Sequence, residues 1–168
     1  MQIKLRKTEK KDIDFVLEAE RHSENSQFIG QWDRVQHLFS LEDQNIGHFI
    51  LERMSDGKSV GYIIVAGFAG GDESIEFRRL VVTEKGNGYG KDALQLVKQT
   101  AFHEWKAHRL WLDVRSHNKR AINLYKTSGF VEEGLLRDCV KVDDHFESLI
   151  VLSVLKPEYL NTHSSVSN

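Results

Sequence analysis

Apolar residues fall into two rhythms along this chain, and the points where one gives way to the other mark its elements. Residues 2–6 alternate like a short strand. After the charged run from Thr8 to Asp12, either of which can cap a helix, Ile13, Phe15, Val16, Leu17 and Ala19 recur at helical spacing. Between Asn25 and Gln44 the residues Phe28, Ile29, Trp32, Val35, Leu38, Phe39 and Leu41 stand three and four apart, which predicts short amphipathic helices. Core packing is the first reading of Phe28, Trp32 and Phe39.

The period then changes. Gly47–Met54 and Ser59–Phe68 are rich in Ile, Val, Phe and Tyr and flank Ser55-Asp56-Gly57-Lys58, the pattern of a hairpin. Gly70-Gly71-Asp72 makes the next turn, and Ser74–Thr83 another strand. From Tyr89 to Trp105 one helical stripe carries Ala93, Leu94, Val97, Ala101, Phe102 and Trp105. Arg109–Val114 reads as a strand, Asn118–Ser128 as a helix closed by Gly129, and Phe130–Val142 with His145–Leu155 as a last hairpin turning at Asp143-Asp144. Strand 74–83, the long helix and strand 109–114 form a crossover unit, so the expected class is α+β or mixed α/β, a mixed but mostly antiparallel sheet of about seven strands flanked by helices. The only proline is Pro157, and the polar segment it opens, rich in Ser and Asn, reads as a frayed tail. The expected organisation is one domain over residues 1–156 and a tail over 157–168.

Composition narrows what such a domain can serve. A chain of 168 residues, 40% apolar and 29% charged, has the size and balance of one folded unit. With 23 basic against 25 acidic residues it lacks the cationic excess that nucleic acid or anionic lipid favours, so neither is an expected partner. No uninterrupted apolar run approaches the roughly 18 residues of a membrane span, and no apolar h-region follows the basic N-terminus. Cys139 is the only cysteine, which excludes an internal disulfide and suits a reducing compartment, so the expected location is the cytoplasm. The eight histidines include no H-E-x-x-H, and no second cysteine joins them, so no bound metal is expected.

Glycine concentrates at Gly86, Gly88 and Gly90, between the end of a strand and the start of the long helix. Glycine lets backbone N–H groups converge and a ligand approach the chain, and the helix N-terminus adds partial positive charge, so phosphate oxygens are the natural occupants. Lys85 and Lys91 can add charge or stand solvated. A nucleoside-triphosphate loop would need Ser or Thr after Gly90-Lys91, where Asp92 stands, and the spacing fits a dinucleotide fingerprint poorly.

Lys85-Gly86-Asn87-Gly88-Tyr89-Gly90, followed by a helix, a strand and Asn118-x-x-Ala121-x-x-x-Tyr125-x-x-x-Gly129-Phe130, resembles the GNAT superfamily of acetyl-CoA-dependent N-acetyltransferases. Lys85 stands where the family has Arg or Gln, which keeps the charge and loses the guanidinium fork. The resemblance implies that backbone amides of Gly86, Asn87, Gly88, Tyr89, Gly90 and Lys91 cradle the diphosphate of acetyl-CoA, a cosubstrate, and that Leu80, Val81 and Val82 lie beside its pantetheine arm. It also implies direct transfer of the acetyl group to a primary amine.

That transfer needs a neutral amine, a stabilised oxyanion and a proton for the leaving thiolate. The resemblance puts Tyr125 in the role of proton donor, against a plain reading as a core aromatic beside Phe130. Glu76 stands where many relatives carry the base, against a plain reading as a polar strand residue. Asn118 serves as helix N-cap, coenzyme contact or both, and a backbone N–H near Val82 is the expected oxyanion donor. Cys139 has no activating context.

Asp12 to Asp43 holds eight acidic and two basic residues, which reads as a solvated acidic face or as a rim drawing in a cationic acceptor, a small-molecule, peptide or protein amine. Phe28, Trp32 and Phe39 are alternative walls for that acceptor. Homodimers are common in the family, so a second copy is a further expected partner. The competing reading is a non-catalytic sensor that binds acetyl-CoA or another nucleotide.

Overall fold

The computed structural model describes residues 1–164. One seven-stranded sheet runs through it, in the order β1-β2-β3-β4-β5-β7-β6. The strands are β1 (Ile3–Lys7), β2 (Ile46–Arg53), β3 (Ser59–Ala66), β4 (Ser74–Val82), β5 (Arg109–Arg115), β6 (Val131–Val142) and β7 (His145–Leu155). The helices are α1 (Ile13–Arg21), α2 (Ser23–Ser26), α3 (Arg34–Glu42), α4 (Tyr89–His103), α5 (Lys119–Thr127) and α6 (Lys156–Ser164). Only β4 and β5 pair in parallel, joined by the α4 crossover, and every other neighbouring pair is antiparallel. No helix among the described residues is long and apolar enough to cross a membrane.

β3 is the buried spine. Ile63 and Val65 face a large core built with α4, while Tyr62 and Ile64 face a smaller one that includes Val16 and Ala19 of α1. The predicted stripe of α4 closes the first core, with Ala93, Leu94, Val97, Ala101 and Phe102 all buried. Trp105 lies just past the helix, its ring 5.7 Å from Phe49 and 5.2 Å from Phe68.

Two expectations are corrected. The apolar spacing of α3 does not point inward: Val35 and Phe39 are 71% and 74% exposed, while His37 and Ser40 are buried. Hydrogen bonding favours this, because His37 Nδ1 lies 3.2 Å from His48 Nε2 and the Ser40 hydroxyl donates to His37 O inside the protein. The segment from Lys156 to Ser164 is a helix and not a frayed tail. Leu155 N–H donates to Glu158 Oε2 at 2.8 Å, Pro157 stands in the first turn where no N–H is missed, and buried Tyr159 packs 4.9 Å from Phe102. Residues 165–168 of the expected tail lie outside the described residues.

The decisive irregularity is in β4. Ile64 pairs with Arg79 but Ala66 with Glu76, so Phe77 and Arg78 together oppose one residue of β3. This bulge inverts the strand's alternation: Ile75 and Phe77 face the large core before it, and Leu80 and Val82 after it, leaving Arg79 and Val81 on the α1 side. β4 and β5 share register only at Ser74–Arg109, Ile75–Leu110 and Glu76–Trp111. Beyond that point β4 continues on β3 and β5 on β7, and a cleft opens between them.

Behind β4 the second core holds polar groups. His48 is buried, stacked on Tyr62 at 5.5 Å, with Nδ1 2.9 Å from Thr8 Oγ1 and Nε2 3.2 Å from His37 Nδ1. Burial first, then the charges of His37 and Arg79, push its pKa down from 6.5 to about 3, against weaker opposing effects of Glu20 and Asp12. A neutral His48 therefore stabilises the fold fully above its unfolded pKa, and this contribution is lost as pH falls from 6.5 towards about 3. At about 1.4 kcal/mol per pKa unit the effect amounts to a few kcal/mol. Urea unfolding across this range is expected to show falling stability, with a shallower fall in His48→Gln; an unchanged slope would contradict the burial argument.

Candidate active site

The cleft between the diverging strands has a volume of about 780 Å³. One side is β4 from Phe77 to Val82 with the turn that follows; the other is β5 from Asp113 with α5. Residues 24–30 wall it from the α1 side, and Val140 and Leu149 reach it from the β6–β7 hairpin. Phe28 bridges the mouth, its ring 5.6 Å from His117.

The glycine turn ends on the cleft. Gly86 and Gly88 have φ of 89° and 82°, in the left-handed region that side chains other than glycine rarely adopt. Gly88 is also the N-cap of α4 and brings no side chain to cap it. The first turn of a helix has no internal acceptors for its N–H groups, and here the N–H of Asp92 is the first to bond back, to Gly88 O at 3.1 Å. The amides before it can donate to an acceptor in the cleft. Gly90 lets α4 approach α5, since a Cβ there would stand 3.3 Å from Leu124 Cδ2.

The side chains of this turn are occupied elsewhere. Lys85 Nζ donates to Glu24 O at 2.9 Å and lies 3.3 Å from its carboxylate, tying the turn to the opposite wall. Asn87 Nδ2 donates to Glu84 O at 3.4 Å, its main-chain O accepts from Gln2 Nε2 at 3.3 Å, and Asn87 is absent from the cleft lining. Tyr89 is buried and its hydroxyl accepts from Arg53 at 3.3 Å. Lys91 is exposed at the mouth.

Along β4, Leu80 and Val82 pack against the large core while Val81 turns its side chain into the smaller one. What all three share with the cleft is a main-chain edge that β5 does not cover. That edge can pair with an extended, amide-bearing ligand as a strand would. Asn118 caps α5, its Oδ1 accepting from Ala121 N at 3.1 Å, and lines the cleft as well.

Tyr125 lines the cleft half-buried, its ring 5.9 Å from Phe130, so packing against Phe130 does not remove it from the cleft. Burial, and then the negative charge of Asp113, push its pKa up to about 12, so it holds its proton at neutral pH. Glu76 is absent from the lining: its carboxylate accepts from Arg78 at 2.7 and 3.1 Å. Asp113 opens onto the cleft and forms no ion pair among the described residues. Desolvation, followed by the charge of Glu76, raises its pKa above the ordinary carboxylate value, against the pull of Arg115 and Arg78. Sequence reasoning passed over Asp113. The available signal was a lone acid between Leu112 and Val114 in an otherwise apolar strand, twelve residues before Tyr125. Among the described residues no group of His, Cys, Asp or Glu is placed to hold a metal ion.

Main-chain donors at one end of an uncovered strand edge suit a phosphate-bearing ligand with an extended, amide-bearing arm, as the resemblance to acetyl-CoA-dependent transferases implies. The comparisons agree. A family model described as the acetyltransferase (GNAT) family matches residues 13–130. Probable N-acetyltransferase YjcK of Bacillus subtilis (strain 168) is 30% identical over 132 residues, 77% of this chain and 73% of that protein. Spermidine N(1)-acetyltransferase of Vibrio cholerae serotype O1 is 23% identical over 171 residues, 95% of this chain and 96% of that protein. The crystal structure of spermidine N-acetyltransferase from Vibrio cholerae in complex with CoA and spermine has the same fold, with a TM-score of 0.85 at 21% identity over 95% of this chain and 99% of that one.

The chain belongs to the GNAT acetyltransferase family. It is an enzyme that moves an acetyl group from acetyl-CoA to a primary amine, which sets aside the sensor reading.

Gly88→Ala meets no steric obstacle, since nothing lies within 4 Å of a Cβ there, so its cost is backbone strain alone. A loss of roughly 1–2 kcal/mol in unfolding free energy is expected by urea denaturation. Full stability in the variant would mean that the turn does not require the left-handed conformation.

Proposed function

We propose that this enzyme acetylates a small aliphatic amine, with Asp113 accepting the proton of the attacking nitrogen and Tyr125 protonating the departing sulfur. The observation that carries the reading is that these two side chains line one cleft and are electrostatically coupled. The coenzyme supplies an activated acetyl thioester. The amides of residues 86–91 hold its diphosphate, with Lys91 adding charge and Asn118 a further contact. The uncovered edge at Leu80, Val81 and Val82 orients its arm, and a main-chain N–H near Val82 stabilises the oxyanion.

The two titrating groups work in sequence. An ammonium ion has an ordinary pKa of about 10.4, so it must give up a proton before it can attack. Asp113, held above the usual carboxylate range, is a better acceptor than an ordinary aspartate and sits opposite a phenol that retains its own proton. Once Asp113 carries the transferred proton, its negative charge no longer raises the pKa of Tyr125, and the phenol becomes a stronger acid as the sulfur needs one. Glu76, paired with Arg78, contributes the charge that helps to raise Asp113, and this role replaces that of base.

The acceptor class is supported by relatives named for spermidine. The acidic segment from Asp12 to Asp43 does not form a rim around the cleft: Asp12 pairs with Arg6, Asp14 with Arg34 and Glu20 with Arg79, and Asp33 caps α3. Of its acids only Glu24 lines the cleft, and Lys85 engages it. Recognition therefore rests on one ammonium at Asp113, with apolar contact from Phe28. A second copy of the chain as partner is supported by exposed Val131, Leu135, Leu136 and Phe146 on the β6–β7 hairpin, and by the dodecameric state of the Vibrio cholerae spermidine N-acetyltransferase.

Thiol release from acetyl-CoA tests these assignments. Tyr125→Phe is expected to lower kcat by about 10²-fold or more with acetyl-CoA affinity retained. In Asp113→Asn the rise of kcat/KM with pH, set by the raised Asp113 pKa, is expected to disappear; persistence of that limb would exclude Asp113 as base. Across an amine panel, alkyl monoamines are expected to react within about tenfold of spermidine in kcat/KM. Turnover confined to polyamines would contradict recognition by a single carboxylate.

A further inference from the structure

Beneath the wall formed by residues 24–30 lies a buried cluster that the reaction does not use. Glu20, in the last turn of α1, is fully buried. Its Oε1 accepts from the Tyr62 hydroxyl at 2.6 Å and from the Arg79 guanidinium, its Oε2 accepts from Trp32 N–H at 2.9 Å, and His37 Nε2 stands 3.4 Å from Oε1. Desolvation, the largest effect, opposes ionisation of this carboxyl, but His37, Arg79, Tyr62 and Trp32 together outweigh it and hold the pKa below the ordinary value. A buried ion pair is a poor source of stability, because its desolvation cost rivals its attraction. What this one does supply is a fixed geometry between the sheet and the cleft wall.

The wall is attached at both ends to the same turn of α1. Asn25 Nδ2 donates to Ala19 O at 2.8 Å at one end; at the other, Gln31 Nε2 donates to Glu20 O at 3.3 Å beside the bond from Trp32 to the Glu20 carboxylate. Arg79 reaches this assembly from β4. Its guanidinium lies 4.7 Å from the centroid of the Trp32 ring, and a Cβ on Gly30 would stand 4.0 Å from its Nη2. Arg79 thus links the strand that bears the uncovered edge to the segment that carries Phe28. A planar cation suits both tasks, since it binds a carboxylate and stacks on an aromatic face at once.

We infer that Glu20 and Arg79 are positioning residues that set the distance between β4 and the wall, and hence the fit of the amine acceptor. This rests on the proposed contact of the amine with Phe28 and the wall that carries it. Phe28 lines the cleft and faces the amine in the proposed reading, so the effect is expected on amine recognition ahead of coenzyme binding. Glu20→Gln preserves shape and the oxygen that receives Trp32 N–H while removing the charge that fixes Arg79. Arg79→Lys keeps a cation against Glu20, and so keeps the cluster neutral where Glu20→Gln fails to fold, but loses the planar stack on Trp32.

Steady-state kinetics with both substrates varied, together with thermal unfolding, test the inference. Either variant is expected to raise the amine KM about tenfold or more while the acetyl-CoA KM stays within about twofold. Lower thermal stability with both KM values unchanged would make the pair merely structural and overturn the inference. A rise in the acetyl-CoA KM alone would overturn it differently, by showing that this wall, which Lys85 also grips through Glu24, serves the coenzyme.

Discussion

After Glu76 on one strand and Trp111 on the other, β4 and β5 share no further register, and each keeps only its outer neighbour. Two parallel strands that part in the middle of a sheet leave two main-chain edges facing each other, and an unpaired edge is stable only where water or a ligand satisfies it. The bulge at Phe77 and Arg78 turns β4 away from its partner and reverses its faces, so that Leu80 and Val82 pack under α4 while Arg79 reaches the α1 side. The glycine turn follows directly from the diverted strand, and Tyr125 and Asp113 come from the other branch. Without the separation these groups would border a continuous sheet with no space for a substrate.

The electrostatics of the cleft follow from the same opening. Asp113 opens onto the cleft with no ion-pair partner among the described residues, and partial desolvation together with the charge of Glu76 raises its pKa. Glu76, one strand away, lies next to Arg78 and is ion-paired. Two carboxylates on neighbouring strands thus differ in charge environment through their neighbours alone, which is what the proposed assignment of base to Asp113 uses. On the far face His37 and His48 are joined to each other and Glu20 is bonded to Tyr62, Arg79 and Trp32, with both histidines and Glu20 enclosed away from the cleft chemistry.

Periodic signals made most of the fold legible. The α4 stripe, the strand spacing and the glycine turn all state their geometry in local sequence, and the resemblance to the acetyltransferase family rested on the turn and on the segment from Asn118 to Phe130. The failures have physical causes. In α3 the pattern assigned burial to apolar residues, but His37 and Ser40 carry internal hydrogen bonds that only tertiary neighbours disclose. The segment after Leu155 is polar in composition, yet one aromatic and one capping glutamate anchor it. Glu76 and Asp113 could not be ranked from sequence, because the ion pair of one and the exposure of the other depend on a bulge that no residue type announces.

The central claim is that one open strand edge and one glycine turn present an acyl thioester to Tyr125. A crystal structure of the enzyme with a non-transferable acetyl-CoA analogue tests it most directly. The account predicts the diphosphate on the amides of residues 86–91, the amide-bearing arm along the uncovered edge of β4, and the sulfur within hydrogen-bonding reach of the Tyr125 hydroxyl. A diphosphate bound away from that turn, or a phenol directed away from the sulfur, would contradict it.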